Sequence, residues 1–180
     1  MKPRTILVIN PAANPGMTER IDATVAPFRL RHGVEIVCET LAAGPRIVAS
    51  NGDVDAAAVA LRARLAEETD NLAVAVIACY ADPGLHACRE ATPTPVLGAG
   101  RCAALTALAR ADNFGVIAMS EAAIPRHLRA LRDKDGAAAL VIGCAEFGAL
   151  RARLERALGA PVIDPVEAAV GTAIAIAAPQ

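Results

Sequence analysis

Two cysteines hold matching places in this 180-residue chain: Cys79 ends the apolar run Leu72–Cys79, and Cys144 follows the run Ala139–Gly143. Each falls where a strand reaches its carboxyl end and turns toward a helix, the edge at which open parallel α/β sheets bind ligands. A thiol placed near helix N-terminal amides is expected to have its pKa drawn from ~8.5 towards neutrality, and so to accept a proton. Two such groups facing each other across a cleft would supply an acid and a base on opposite faces of one carbon, as stereoinversion requires. Core packing is the alternative for either cysteine taken singly, because free thiols pack well.

The elements that must position these thiols follow from hydrophobic patterning. Thr5–Asn10, Val34–Glu39, Leu72–Cys79 and Pro95–Leu97 read as strands, followed by Phe114–Met119, Ala139–Gly143 and Pro161–Ile163. Between them, helical period is predicted over Thr18–Arg29 with Thr18 as N-cap, Asp53–Thr69, Gly84–Ala91, Arg101–Arg110, Arg126–Lys134, Glu146–Leu158 and Val166–Ala177. Strands alternating with helices imply an α/β fold with a mainly parallel sheet. Val76-Ile77-Ala78-Cys79 is echoed by Val141-Ile142-Gly143-Cys144, and Pro95-Val96-Leu97 by Pro161-Val162-Ile163. The cysteine-to-proline spacings are 16 and 17 residues, so the blocks recur in register and imply two pseudo-symmetric lobes. The second copy is shorter, with 24 residues from Ser120 to Cys144 against 69 from Asn10 to Cys79. The expected division is a first lobe over 1–98 and an abbreviated second lobe over 99–180, with a closing helix at about 166–177 that can pack back on the first.

Composition narrows the function classes. Lys plus Arg total 18 against 19 Asp plus Glu, and aromatic residues are 2% with no Trp. That argues against nucleic-acid binding, which needs a basic surface or stacking platforms. Apolar runs stay short of the ~20 residues of a membrane span, and the start lacks a signal-peptide pattern. A cytoplasmic protein with five reduced cysteines is the expectation. Lys2 and Lys134 are the only lysines and neither ends a strand, so pyridoxal phosphate has no candidate attachment and no cofactor is expected. Gly98-Ala99-Gly100-Arg101-Cys102-Ala103 has the form of a dinucleotide fingerprint, with a tight turn before a closely packed helix as the alternative. Cys79, His86 and Cys88 match no standard zinc spacing, so no metal site is assigned. Cys38 and Cys102 read as structural thiols, and Asp82 before Pro83-Gly84 as a turn and cap residue.

Ile9-Asn10-Pro11, Asn14-Pro15-Gly16-Met17-Thr18, Ala78-Cys79-Tyr80-Ala81-Asp82-Pro83-Gly84-Leu85, Gly143-Cys144-Ala145 and Pro161-Val162-Ile163-Asp164-Pro165-Val166 carry a family resemblance. The chain resembles the hydantoin-racemase branch of the aspartate/glutamate racemase superfamily from end to end, apart from the shortfall of about 45 residues in the second lobe. The resemblance implies a pseudo-symmetric two-lobed α/β fold and cofactor-independent racemisation or epimerisation, with Cys79 and Cys144 as the catalytic pair. It departs from the family pattern where Ala12 and Ala13 replace a polar Asn and Thr, and where Glu146 stands beside Cys144.

The residues expected at the substrate are Asn10, Tyr80, Ala81, Ser120, Ala145 and Glu146, with the amides after each cysteine turned to carbonyl oxygens. The substrate is expected to be a small molecule with an acidic C–H, such as a hydantoin or related amino-acid derivative, and the assembly a homo-oligomer. The alternative is a catalytically silent relative that binds a small ligand or supports an oligomer, the reading that Ala12, Ala13 and Glu146 favour.

Overall fold

The structure is a computed structural model and describes residues 4–30, 34–67, 71–117, 124–144 and 147–177. Strand β1 (Thr5–Asn10) shows how the sequence builds layers. Ile6 and Val8 enter one apolar cluster while Leu7 and Ile9 enter another, so alternate residues serve opposite faces of one sheet. The same alternation in β3 (Leu72–Ile77) sends Val74 and Val76 one way and Ala75 and Ile77 the other. With β2 (Glu35–Thr40) and β4 (Val96–Gly98), these strands form an all-parallel sheet in the order β2-β1-β3-β4. A second parallel sheet has the order β5-β6-β7, from Phe114–Ile117, Ala139–Ile142 and Val162–Ile163. It repeats β1-β3-β4 without a counterpart of β2 among the described residues. The shorter second copy read from the residue spacing thus has, among the described residues, three strands where the first has four.

Helices cover both faces of the first sheet. Helix α1 (Pro15–Val25) contributes Ile21 and Val25 to one side, joined there by Val166, Val170 and Ala173 of α7 (Pro165–Ala177). Helix α2 (Asn51–Ala66) places Leu61 and Leu65 on the other side, beside Leu85 and Cys88 of α3 (Leu85–Ala91). Fully burying each such Leu, Ile or Val is worth about 1.5–3 kcal/mol relative to leaving it in water. Around the second sheet, α5 (Ile124–Asp133) and α6 (Arg151–Leu158) bring Leu128, Leu154 and Leu158 against Leu140 and Ile142. Helix α4 (Ala99–Leu108) lies between the sheets: Ala99 and Cys102 join the first core, Ala103 and Ala107 pack on Ala139, Val141 and Ile163. Small side chains on both faces let α4 approach both sheets closely.

Two helix starts differ from the sequence expectation by three residues or more. Helix α1 begins at Pro15 with Asn14 as N-cap, its side chain accepting the Met17 N–H, because proline suits the first helical position. Thr18 is therefore inside the helix and hydrogen-bonds Asn10 and Thr40 instead. Helix α6 starts at Arg151 after a 3₁₀ turn over Gly148–Leu150, later than Glu146. Helix α2 is closed at its start by a capping box between Ser50 and Asp53. No helix among the described residues is long and apolar enough to cross a membrane.

Candidate active site

Three strand ends meet at one cavity. The carboxyl ends of β1 and β3 deliver Asn10 and Cys79, the end of β6 delivers Cys144, and the loop before α2 contributes Ile47 and Val48. The cavity has a volume of about 130 Å³, and both cysteines line it. Cys79 and Cys144 are each half-buried, and they are near enough for charge on Cys144 to disfavour charge on Cys79. The repeat seen in the sequence thus brings the two thiols together.

The electrostatics of Cys79 run against the sequence expectation. Burial pushes the Cys79 thiol above its ordinary value, and the charges of Asp82 and Cys144 add to this. The Ala81 N–H, hydrogen-bonded to the sulfur, opposes the shift without cancelling it. The amides of α3 lie beyond the intervening turn, with Gly84 as the N-cap. Cys38 is further from ionisation, pushed up to about 12 chiefly by burial. The cysteines form no disulfides among the described residues.

The neighbours of the thiols divide into lining groups and supporting groups. Asn10 borders the cavity but is fully buried, and its side chain is engaged within the protein. Its Oδ1 accepts the Ala12 N–H at 3.0 Å, and its Nδ2 donates to the Asn14 carbonyl and to Thr18 Oγ1, each at 3.0 Å. These bonds fix the loop after β1, where Ala12 also faces the cavity. Tyr80 lines the cavity and packs against the cluster around α4 as well, with burial raising its phenol pKa. Ala81 is exposed and its amide serves the Cys79 sulfur rather than standing open in the cavity. Ser120, Ala145 and Glu146 lie outside the described residues. Sequence reasoning missed Met17 and Val48 as lining residues; both are apolar, and no chemical signal marks them.

Two rival readings meet the geometry differently. His86 is exposed while Cys88 is fully buried, so these two residues of α3 face apart, and no group of three metal-binding side chains converges among the described residues. A side chain on Gly98 would run into the Asp82 carboxylate and one on Gly100 into the Tyr80 carbonyl oxygen. The glycines of that motif therefore serve close packing of the Cys79 turn on α4. A larger concavity of about 560 Å³ lies between α1 and residues 147–152, lined by Thr24, Phe147, Arg151 and Glu167 among others. Its lining includes no cysteine or histidine, and Arg151 there is paired with Glu155 and Glu167 at 3.0 and 2.7 Å.

The family described as Asp/Glu/Hydantoin racemase matches residues 6–134 and 126–173. A hydantoin racemase of Paenarthrobacter aurescens is 31% identical over 215 residues, covering 96% of this chain and 91% of that protein. A hydantoin racemase of Rhizobium meliloti is 34% identical over 141 residues, spanning 56% of this chain and 58% of that protein. The allantoin racemase structure from Klebsiella pneumoniae superimposes with a TM-score of 0.86 at 27% identity, covering 96% of this chain and 86% of that one.

Proposed function

The chain belongs to the Asp/Glu/hydantoin racemase family, and from that premise we propose that it racemises a hydantoin or related amino-acid derivative without a cofactor, using Cys79 and Cys144 as opposed bases. The enzyme class, an isomerase of the racemase type, follows from the family and from the likeness to hydantoin and allantoin racemases. One thiolate removes the proton from the stereogenic carbon, and the C–H electron pair moves into the adjacent carbonyl as an enolate. The opposite thiol then gives its proton to the other face of that carbon, becoming the thiolate. The substrate leaves inverted, and the protonation states of the two sulfurs have exchanged.

The observation that carries this reading is that both cysteines line one small cavity. Its 130 Å³ is comparable with the ~150 Å³ that encloses a benzene ring, so it suits a single small ring. Met17, Ile47 and Val48 offer an apolar wall to a short substituent. A ring carbon flanked by a carbonyl and a nitrogen has the acidic hydrogen that chemistry without an electron sink needs. The silent-relative reading draws on Ala12, which removes a polar group from the cavity, but it leaves the meeting of two strand-end thiols without a purpose. Two lobes over 1–98 and 99–180, a homo-oligomeric assembly and a cytoplasmic setting for the reduced thiols complete the reading.

The test is the decay of optical rotation of a single enantiomer of 5-methylhydantoin. Enzyme should accelerate it well above the uncatalysed rate, and the rate should climb with pH from neutral into the alkaline range. The sign follows from the thiolate being the competent base: burial holds the Cys79 thiol above its ordinary value, so raising pH increases the reactive fraction. No acceleration sinks the assignment, and a rate independent of pH from 7 to 9 contradicts a thiolate base.

A further inference from the structure

The turn after Cys79 carries a carboxylate that neither the apolar core nor the proton transfer accounts for. Asp82 is half-buried and, alone among the described non-glycine residues, has a left-handed backbone, with φ +48°. A residue with a β-carbon disfavours that conformation, aspartate and asparagine tolerating it best. Both carboxylate oxygens are engaged across 18 and 19 residues of sequence. Oδ1 accepts the Gly100 N–H and Oδ2 the Arg101 N–H, each at 2.8 Å. These amides open α4, and they are the groups that the Gly98-Ala99-Gly100 sequence would present to a pyrophosphate. The protein's own carboxylate occupies that anion position. The glycines make the docking fit, since a β-carbon at 98 or 100 would overlap Asp82 or the Tyr80 carbonyl. The turn is closed from within as well: the Asp82 N–H donates to the Cys79 carbonyl at 3.1 Å, and the Ala81 N–H meets the Cys79 sulfur.

We propose that Asp82 is a positioning residue for Cys79: its carboxylate docks the 79–82 turn on the N-terminus of α4 and so aims the Cys79 sulfur into the cavity shared with Cys144. The proposal rests on the reading of Cys79 as a base. It also assigns the glycine-rich start of α4 to this docking. The left-handed backbone is the cost of bringing the carboxylate round to α4 within three residues of the thiol. Its negative charge has a side effect on the same sulfur, which it helps hold in the protonated form.

Two variants test it. Asp82→Gly suits the backbone angle but removes the carboxylate, and Asp82→Asn keeps one acceptor for the α4 amides while removing the charge. Turnover of a 5-substituted hydantoin is measured beside iodoacetamide alkylation of Cys79 and Cys144 across pH, resolved by peptide mass mapping. Asp82→Gly should lower kcat at least about tenfold through misplacement of one reacting group, with KM within about twofold. Asp82→Asn should fall between Asp82→Gly and the parent. In both, the midpoint for Cys79 alkylation should move to lower pH, because a neighbouring negative charge has gone, while that of Cys144 stays. Undiminished turnover in Asp82→Gly overturns the proposal, as does lost turnover with an unmoved Cys79 profile. If Asp82→Gly does not fold by circular dichroism, Asp82→Asn carries the same test. Alkylation needs no substrate, so an inactive parent chain counts against the racemase reading, while an unmoved Cys79 profile still counts against the docking.

Discussion

Replacing Cys79 with serine should lower kcat/KM for racemisation by roughly 10²- to 10⁴-fold, the range that loss of one positioned acid/base group produces. A serine hydroxyl has nearly the shape of the thiol but ionises far less readily, so the cavity keeps its form and loses one base. Cys144→Ser should have an effect of the same order, because each direction of inversion needs one sulfur to take a proton and the other to give one. The two variants should nevertheless differ in what survives. With Cys144 alone, the enantiomer whose C–H faces that sulfur can still exchange its hydrogen with solvent without inverting. With Cys79 alone, the opposite enantiomer should do so. Polarimetry reports the lost inversion and proton NMR in D2O reports the residual exchange. A single variant that racemises at the parent rate contradicts the two-base scheme. Cys38 supplies the internal control for thiol chemistry, being held protonated up to about 12 by its burial.

Asp164→Asn should change the pH dependence of stability more than any other single substitution here. Asp164 is 1% exposed, and its Oδ1 accepts the Glu167 N–H at 2.8 Å at the start of α7. Its Oδ2 is buried and has no hydrogen-bond partner among the described residues. Burial, reinforced by the charge of Glu167, pushes its pKa up to about 7, against the pull of the Glu167 and Val166 amides and of Arg151. A carboxyl whose folded value is raised favours the fold below its unfolded value of 3.8 and loses that contribution as pH climbs through about 7. The difference corresponds to a few kcal/mol, since each unit is worth about 1.4 kcal/mol. Asparagine keeps the acceptor for α7 and carries no charge. The variant should match the parent near pH 4 and exceed it in stability at pH 8 by on the order of a few kcal/mol. Urea midpoints at the two pH values check this, and parallel pH dependence of parent and variant contradicts it.

The sequence made the strands and the thiol pair legible for a clear physical reason. Strands buried on both faces, such as Thr5–Asn10 and Leu72–Ile77, are nearly continuous apolar runs, and a duplicated run followed by cysteine marks the same topological place twice. What stayed hidden depends on contacts between distant segments. The pKa of Cys79 is set first by burial, which the strand pattern does not express, so the expected lowering became a rise. Asn10, expected at the substrate, has its amide engaged by Ala12 and Asn14 of its own loop and by Thr18 of α1. Gly100 and Asp82 lie 18 residues apart, and only the packing of α4 on the Cys79 turn explains both. Asn14, four residues ahead of the expected cap Thr18, caps α1 in its place because Pro15 fixes the first helical residue, a local signal present in the sequence.

Solvent labelling of a single enantiomer probes the opposed sulfurs most directly. The parent protein is incubated with one enantiomer of a 5-substituted hydantoin in D2O and stopped early, and the two enantiomers are separated and weighed by mass spectrometry. Delivery of the incoming proton by the sulfur on the far side predicts deuterium in the inverted product and almost none in the recovered starting enantiomer. Equal labelling of both enantiomers at early times would mean that one group handles both faces, and the pairing of Cys79 with Cys144 would fail.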